Sequence, residues 1–237
     1  MSYLILIRHG QSIWNLENKF TGWVDIDLTE KGKLEAKRAG ELIKETKIEI
    51  KYYYSSIQLR ANNTLKIIQK FLNDEKTIYK AWQLNERHYG SLTGLNKDEI
   101  TKKLGEKKVH QFRRSWDLRP DPLSKNSKFH PLNIDIYKNL PLKDIPDAES
   151  LKDTYDRVID FFRSEIKDKI VDGNTIISAH GNSLRALCKY LFKLNEKEVT
   201  KLEIPTGNPL LLNISEDNKI IQCKYLDQDR AKDLLVF

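Results

Sequence analysis

Two apolar runs in this chain end alike. Tyr3-Leu4-Ile5-Leu6-Ile7 leads into Arg8-His9-Gly10, and Thr175-Ile176-Ile177-Ser178-Ala179 leads into His180-Gly181. Each run is short, rich in Ile and Leu, and followed by a polar turn and a helical pattern, so each reads as a buried strand. In an open α/β sheet, ligands gather outside the carboxyl ends of the strands. Both histidines are therefore expected at one crevice. Neutral imidazole is a nucleophile, and imidazolium donates to phosphate oxygens. Arg8 adds a planar, permanently charged fork suited to phosphate. The simplest chemistry for this set is metal-free phosphoryl transfer through a phosphohistidine. A lone histidine ending a strand is as readily a packing residue; the second strand-His-Gly-helix unit shifts the balance.

The rest of the chain alternates in the same way. Strand one (about 3–8) gives way to a polar loop, 9–29, and a helix begins near Thr29-Glu30, with Leu34, Arg38, Leu42 and Ile43 at helical spacing. Lys51–Ser55 reads as a second strand, and Ser56 is expected to cap a helix through Arg60, Leu65, Ile68 and Leu72. Thr77–Leu84 is a third strand. Residues 85–150 are loop-rich, with helices near 97–104 and 106–115 before Pro120, Pro122, Pro131, Pro141 and Pro146; such a long insert is more often functional than idle. Glu149–Lys169 is an amphipathic helix, followed by a strand at 174–179 and a helix at 182–193. Two late strands, near 209–214 and 219–226, flank a turn at Glu216-Asp217-Asn218, and Asp229–Leu235 reads as a last helix-like segment. The expected fold is α/β, a mainly parallel sheet flanked by helices on both faces. No linker or repeat divides residues 1–237, which read as a single domain.

Composition narrows the partners. The net charge is +7, but the lysines are dispersed among acids, as in Lys31-Gly32-Lys33-Leu34-Glu35-Ala36-Lys37. That pattern is a solvated face rather than a nucleic-acid or membrane surface. No apolar stretch has membrane-spanning length and no secretory pattern opens the chain. Cys188 and Cys223 are the only cysteines and lie far apart, which fits a reducing cytoplasm. No cluster has metal-ligand spacing, so no metal is expected. Arginine is scarcer than lysine, yet Arg8, Arg60, Arg113 and Arg114 all fall in candidate site segments, where bidentate anion contacts are wanted.

Gly10 is expected to let the backbone approach an anion closely. Asn15 and Thr21-Gly22 add polar donors, although each alone is equally an ordinary loop residue. In Asn85-Glu86-Arg87-His88-Tyr89-Gly90, Glu86 is the candidate general acid–base; a salt bridge to Arg87 is the plainer alternative. Lys97, Arg113 and Arg114 could hold a carboxylate in addition to a phosphate, or form only an exposed basic helix.

Taken together these residues carry a family resemblance. Leu6-Ile7-Arg8-His9-Gly10-Gln11-Ser12-Ile13-Trp14-Asn15 resembles the signature of the histidine phosphatase superfamily, and more narrowly of its cofactor-dependent phosphoglycerate mutases. The likeness continues through Phe20-Thr21-Gly22-Trp23, Leu84–Gly90, Gly94-Leu95-Asn96-Lys97, Phe112-Arg113-Arg114, Ala179–Leu187 and Ile204-Pro205-Thr206-Gly207. It implies a cytoplasmic enzyme of glycolysis and gluconeogenesis. Such an enzyme interconverts 2- and 3-phosphoglycerate, is primed by 2,3-bisphosphoglycerate and assembles as a homodimer or homotetramer. By position it implies His9 as the phosphorylated nucleophile, with Arg8, Arg60 and His180 around the phosphoryl group and Glu86 exchanging the hydroxyl proton. Gly10, Gln11, Ser12, Asn15, Thr21, Gly22, Arg87, His88, Tyr89, Gly181 and Asn182 would form the substrate pocket, and Lys97, Arg113 and Arg114 would hold the rest of the substrate. Three features depart from the pattern: the Ser115–Pro122 stretch, Asn208 at a usually aliphatic position, and a short ending at Ala231–Phe237 where the family's tail is longer. The insert, with Trp116, Phe129 and Tyr137, is the expected alternative cover. Two rivals remain: a phosphatase of the same superfamily, and a phosphoprotein-binding module without catalysis. The insert cations oppose the first, and the retained histidines, arginines and Glu86 oppose the second.

Overall fold

The structure, a computed structural model, describes residues 1–217 and 219–231. Asn218 of the expected late turn, and the end of the last helix-like segment from 232, lie outside the described residues. β1 (Ser2–Arg8) is the first apolar run. Its alternate side chains enter two cores, Leu4 and Leu6 on one face and Ile5 and Ile7 on the other. Burial on both faces is why the run shows no polar alternation.

The polar loop that follows holds a single turn, α1 (Ile13–Leu16), which the pattern did not show. Ser12 caps it: its hydroxyl accepts from the Asn15 N–H while the Asn15 side chain accepts from the Ser12 N–H. α2 (Glu30–Glu45) starts where expected, with the Thr29 hydroxyl accepting from the Gly32 N–H. β2 (Tyr52–Ser56) and α3 (Leu59–Leu72) correct one expectation. Ser56 is the last residue of the strand, not a cap, and its hydroxyl meets His180; Gln58 holds the cap position. β3 (Ile78–Ala81) is shorter than Thr77–Leu84 because Trp82–Leu84 winds into a 3₁₀ turn. α4 (Lys97–Leu104) and α5 (Glu106–Arg114) follow as expected.

Beyond them the insert continues as three 3₁₀ turns up to α6 (Leu151–Phe161), capped by Ser150. The single helix expected over Glu149–Lys169 is divided. A π turn, Phe162–Ile166, separates α6 from α7 (Lys167–Asp172) and keeps Phe162 and Ile166 buried. β4 (Thr175–Ala179) and α8 (Gly181–Leu191) form the second strand-His-Gly-helix unit. A short α9 (Glu196–Lys201), not expected from the pattern, precedes β5 (Leu210–Ile214) and β6 (Ile220–Tyr225).

The strand order is β3-β2-β4-β1-β5-β6. β1 to β4 are mutually parallel, β5 runs antiparallel to β1, and β6 runs antiparallel to β5 and so returns to the direction of the first four. α2 and α3 cover the Ile5/Ile7 face, and α6 and α8 cover the Leu4/Leu6 face. The register places Arg8 beside Ala179, and the His9 N–H donates to the Ala179 carbonyl at 3.0 Å. The two histidines therefore leave the sheet side by side, with Ser56 on the neighbouring strand. No helix among the described residues is long and apolar enough to cross a membrane.

Candidate active site

His9 is buried, and its Nδ1 lies 2.7 Å from the Gly10 carbonyl oxygen. A carbonyl only accepts, so Nδ1 carries the proton and Nε2 keeps its lone pair. Burial above all, then Arg60 and Arg8, hold the imidazole well below its usual pKa. The arginines act in the same direction, but loss of water is the larger cause. His180 stacks beside it, with ring centroids 5.0 Å apart and planes tilted by 59°. Its Nε2 is 2.7 Å from Ser56 Oγ, which also accepts from the Gln58 N–H. The Ser56 hydroxyl is thus free to donate to Nε2, which leaves Nδ1–H as the donor end of the ring. That Nδ1 is buried with no partner among the described residues. His180 is also held neutral, first by burial and then by Arg60.

Around this pair lies a polar cleft. Arg8, Lys19, Arg60, Lys97, Arg113, Arg114 and Arg185 line it against two carboxylates, Glu86 and Glu203. Arg60 is fully buried and donates to the carbonyls of Val24 and Gly22 at 2.9 Å and to Gln58 Oε1 at 3.0 Å. Arg8 Nη1 holds the Ile204 carbonyl at 2.9 Å while its buried Nε has no partner among the described residues. Glu86 Oε1 accepts from the backbone N–H groups of Arg87 (2.8 Å) and Asn182 (3.1 Å). The alternative of a salt bridge to Arg87 is not what forms. The Arg87 guanidinium turns to the carbonyls of Phe112 and Arg113 and lies over the Tyr89 ring. A larger hollow of about 850 Å³ between α6–α7, the end of α8 and β6 holds no histidine or acid, so size does not mark the site here.

The family profile of the histidine phosphatase superfamily (branch 1) matches residues 4–226. A 2,3-bisphosphoglycerate-dependent phosphoglycerate mutase of Pelagibacter ubique is 67% identical over the whole of both chains. Its counterpart from Hyphomonas neptunium is 46% identical over 99% of this chain and 98% of its own. The chain belongs to the histidine phosphatase superfamily, within its 2,3-bisphosphoglycerate-dependent phosphoglycerate mutase family. Among solved structures, Bacillus stearothermophilus YhfR superposes with a TM-score of 0.69 at 23% identity, over 93% of this chain and 94% of that one. A mycobacterial glucosyl-3-phosphoglycerate phosphatase gives 0.68 at 20% identity, over 95% and 97%. At that identity the two report the shared histidine phosphatase fold.

In this member of the mutase family, Arg8, His9, Asn15, Thr21, Gly22, Arg60, Glu86, Tyr89, Lys97, Arg113, Arg114, Gly181 and Asn182 all line the cleft, as the sequence led one to expect. Gly10, Gln11, Ser12, Arg87, His88 and His180 are not among the lining residues but build its wall, His180 directly behind His9. A Cβ on Gly10 would lie 2.2 Å from the Gly32 carbonyl oxygen, so the glycine serves close packing on α2 rather than an anion. Gln11 is tied to Thr29 and Glu35. His88 is fully buried; its Nδ1 accepts from the Gly90 N–H and its backbone N–H donates to Glu149, and burial pulls its imidazole down to about 4. Lys19, Phe20, Arg185 and Glu203 line the cleft without having been expected. Arg185 was within reach of the sequence: three residues after Asn182 on one helix face, it donates to the Asn182 side chain at 3.2 Å. Glu203 binds both Arg114 and Arg185 and comes from a different segment, so no local pattern announced it. The insert aromatics do not line the opening. Trp116 packs on Tyr155, Phe129 on Trp14 and the fully buried Tyr137 on Trp23.

Proposed function

We propose that this protein interconverts 2-phosphoglycerate and 3-phosphoglycerate through a phosphoenzyme at His9 that is primed by 2,3-bisphosphoglycerate. The observation that carries the reading is the state of His9. It is buried, neutral and fixed with Nε2 unprotonated, in a cleft whose cations outnumber its carboxylates. The cleft residues fit the bisphosphate primer: buried Arg8 Nε and His180 Nδ1 are donors without protein partners among the described residues, and Lys97, Arg113 and Arg114 extend the positive surface. When bound, 2,3-bisphosphoglycerate supplies the phosphoryl group that primes His9.

Phosphoryl transfer asks mainly for in-line placement and charge stabilisation. Arg8, Arg60 and His180 surround the group on His9 and spread its developing charge. Phosphorylated His9 gives its phosphoryl group to the free hydroxyl of the monophosphate; the N–P bond breaks, an O–P bond forms, and Glu86 takes the hydroxyl proton. His9 then accepts the other phosphoryl group, and Glu86 returns the proton to the oxygen left behind. Gly181 adds a backbone donor at the start of α8, where the helix dipole favours an anion. The second anionic end of the substrate meets Lys97, Arg113 and Arg114, and this favours the mutase over a phosphatase that passes the group to water. The same reading makes the protein a single-domain, cytoplasmic homodimer or homotetramer. Its partner is a small phosphorylated anion, with no nucleic acid, membrane or metal involved.

A mutase assay run with and without 2,3-bisphosphoglycerate, in excess chelator, tests this. Interconversion that depends on the bisphosphate and survives chelation is expected. Release of inorganic phosphate as the sole product, or activity restored only by Mg²⁺ or Mn²⁺, would overturn it.

A further inference from the structure

We infer that Gln58 is a positioning residue that holds the phosphoryl-binding guanidinium of Arg60 and the acid–base loop of Glu86 in one fixed relation; the inference rests on the mutase reading above. Gln58 is fully buried between the end of β2 and the start of α3. It occupies the cap position yet makes no side-chain cap bond. Ser, Thr, Asp or Asn would serve that helix better, so helix stability does not account for the side chain.

The amide is committed elsewhere. Its Oε1 accepts from Arg60 Nη2 at 3.0 Å and from the Glu86 N–H at 3.1 Å. Its Nε2 donates to the Gly22 carbonyl at 3.1 Å and to the Tyr137 hydroxyl at 3.0 Å. Guanidinium and backbone N–H groups only donate and a carbonyl only accepts, so the partners fix which end of the amide is which. Tyr137 is consistent with this, since its own proton goes to the Trp23 carbonyl. The backbone N–H of Gln58 donates to Ser56 Oγ, the partner of His180. One residue thus touches Arg60 and Glu86 directly and His180 through one hydroxyl. It also ties them to the cleft loop at Gly22 and to the insert at Tyr137.

Removing the amide frees one Arg60 N–H and orphans the buried Glu86 N–H, while the other Arg60 contacts, to Gly22 and Val24, remain. The loss should therefore be of alignment at the reacting groups rather than of substrate binding. Gln58→Leu is expected to lower kcat by roughly tenfold or more with KM changed less than about threefold. Gln58→Glu keeps the acceptor oxygen, replaces the amide donor to Gly22 and Tyr137 with a second oxygen, and places a carboxylate among Arg8, Arg60, Arg157, Glu86 and Asp25, the charged groups that surround this part of the site. It should offset the positive field of Arg60 on His9. The acid limb of the single-turnover rate of His9 phosphorylation by 2,3-bisphosphoglycerate should then move to higher pH. A residue that only supported the fold would slow both variants and leave that limb in place.

The experiment measures kcat, KM and the pH profile of His9 labelling in parent, Gln58→Leu and Gln58→Glu. Thermal unfolding checks that each is folded. A kcat-specific loss in the first and a raised limb in the second support the inference. Folded variants with kcat within about twofold of the parent and an unmoved limb overturn it. If neither variant folds, Tyr137→Phe decides, because it removes one partner of the same amide. A kcat loss of a few-fold at constant KM is then expected, and an unchanged kcat overturns the inference. A parent without bisphosphate-dependent labelling would refute the mutase reading itself, whereas an active parent with indifferent variants refutes only the role of Gln58.

Discussion

A Cβ at Gly10 would sit 2.2 Å from the Gly32 carbonyl oxygen, and one at Gly32 would sit 2.1 Å from that of Gln11. The two glycines let the loop after His9 lie against the first turn of α2, with the Gly10 N–H donating to Thr64 of α3 and the Gln11 N–H to Glu35 of α2. The Gly10 carbonyl in turn fixes the tautomer of His9. A methyl at Gly10 meets backbone, which cannot swing aside, so the loop itself must shift. Gly10→Ala should cost roughly 2 kcal/mol or more of stability and slow phosphorylation as the carbonyl leaves Nδ1. Urea unfolding of the variant checks the first part; a loss below about 0.5 kcal/mol would mean that the loop has slack the packing does not show.

At the scale of elements, α6 reaches across to hold the loop that carries Glu86. Arg157 donates to the carbonyls of Gln83, Asn85 and Glu86 and pairs through two nitrogens with Glu149, which itself accepts from the His88 N–H. Both side chains of the pair are buried. Arg157→Met leaves Glu149 charged and unpaired, and should lower stability by about 3–5 kcal/mol. An unfolding curve displaced by less than about 1 kcal/mol would remove the clamp from the account. None of this was visible in Glu149–Lys169 as an amphipathic pattern, which reports the face turned to the core and not the polar contacts made beside it. The sequence was legible where burial is repetitive. β1 and β4, with a histidine at each end, could be read from their apolar runs, and α2 from Thr29 and its spacing. It was silent where an element is shorter than two turns, as in α1, α9 and Trp82–Leu84, because so short an element has no period to detect. The same limit separates Arg8, Arg60 and Glu86, which stand beside legible strand ends, from Glu203, which reaches Arg114 only through the fold.

For the molecule as a whole, three buried neutral imidazoles dominate the response to acid. His9 and His180 lie well below 6.5 and His88 is near 4, each chiefly through burial. In the unfolded chain each takes up a proton as pH falls through about 6.5, whereas in the fold it does not until far lower. The unfolded state binds more protons across that window. Stability present above pH 6.5 is therefore lost as pH falls toward 4, and His88 alone accounts for roughly 3 kcal/mol of the loss. Urea midpoints measured between pH 7 and 4.5 should fall steadily; a flat profile would mean that these rings are hydrated or paired in solution. All three depressed imidazoles sit in or beside the cleft, and the central claim is that one of them, His9, carries the phosphoryl group. The direct measurement is to incubate the protein with 2,3-bisphosphoglycerate labelled in its phosphates, isolate the labelled protein, and chase it with unlabelled 3-phosphoglycerate. Acid-labile, base-stable label is predicted on the parent, slower label on His180→Ala and none on His9→Ala, with the chase moving the label into phosphoglycerates. Stable label on His9→Ala, or label released by 3-phosphoglycerate wholly as inorganic phosphate, would contradict the account.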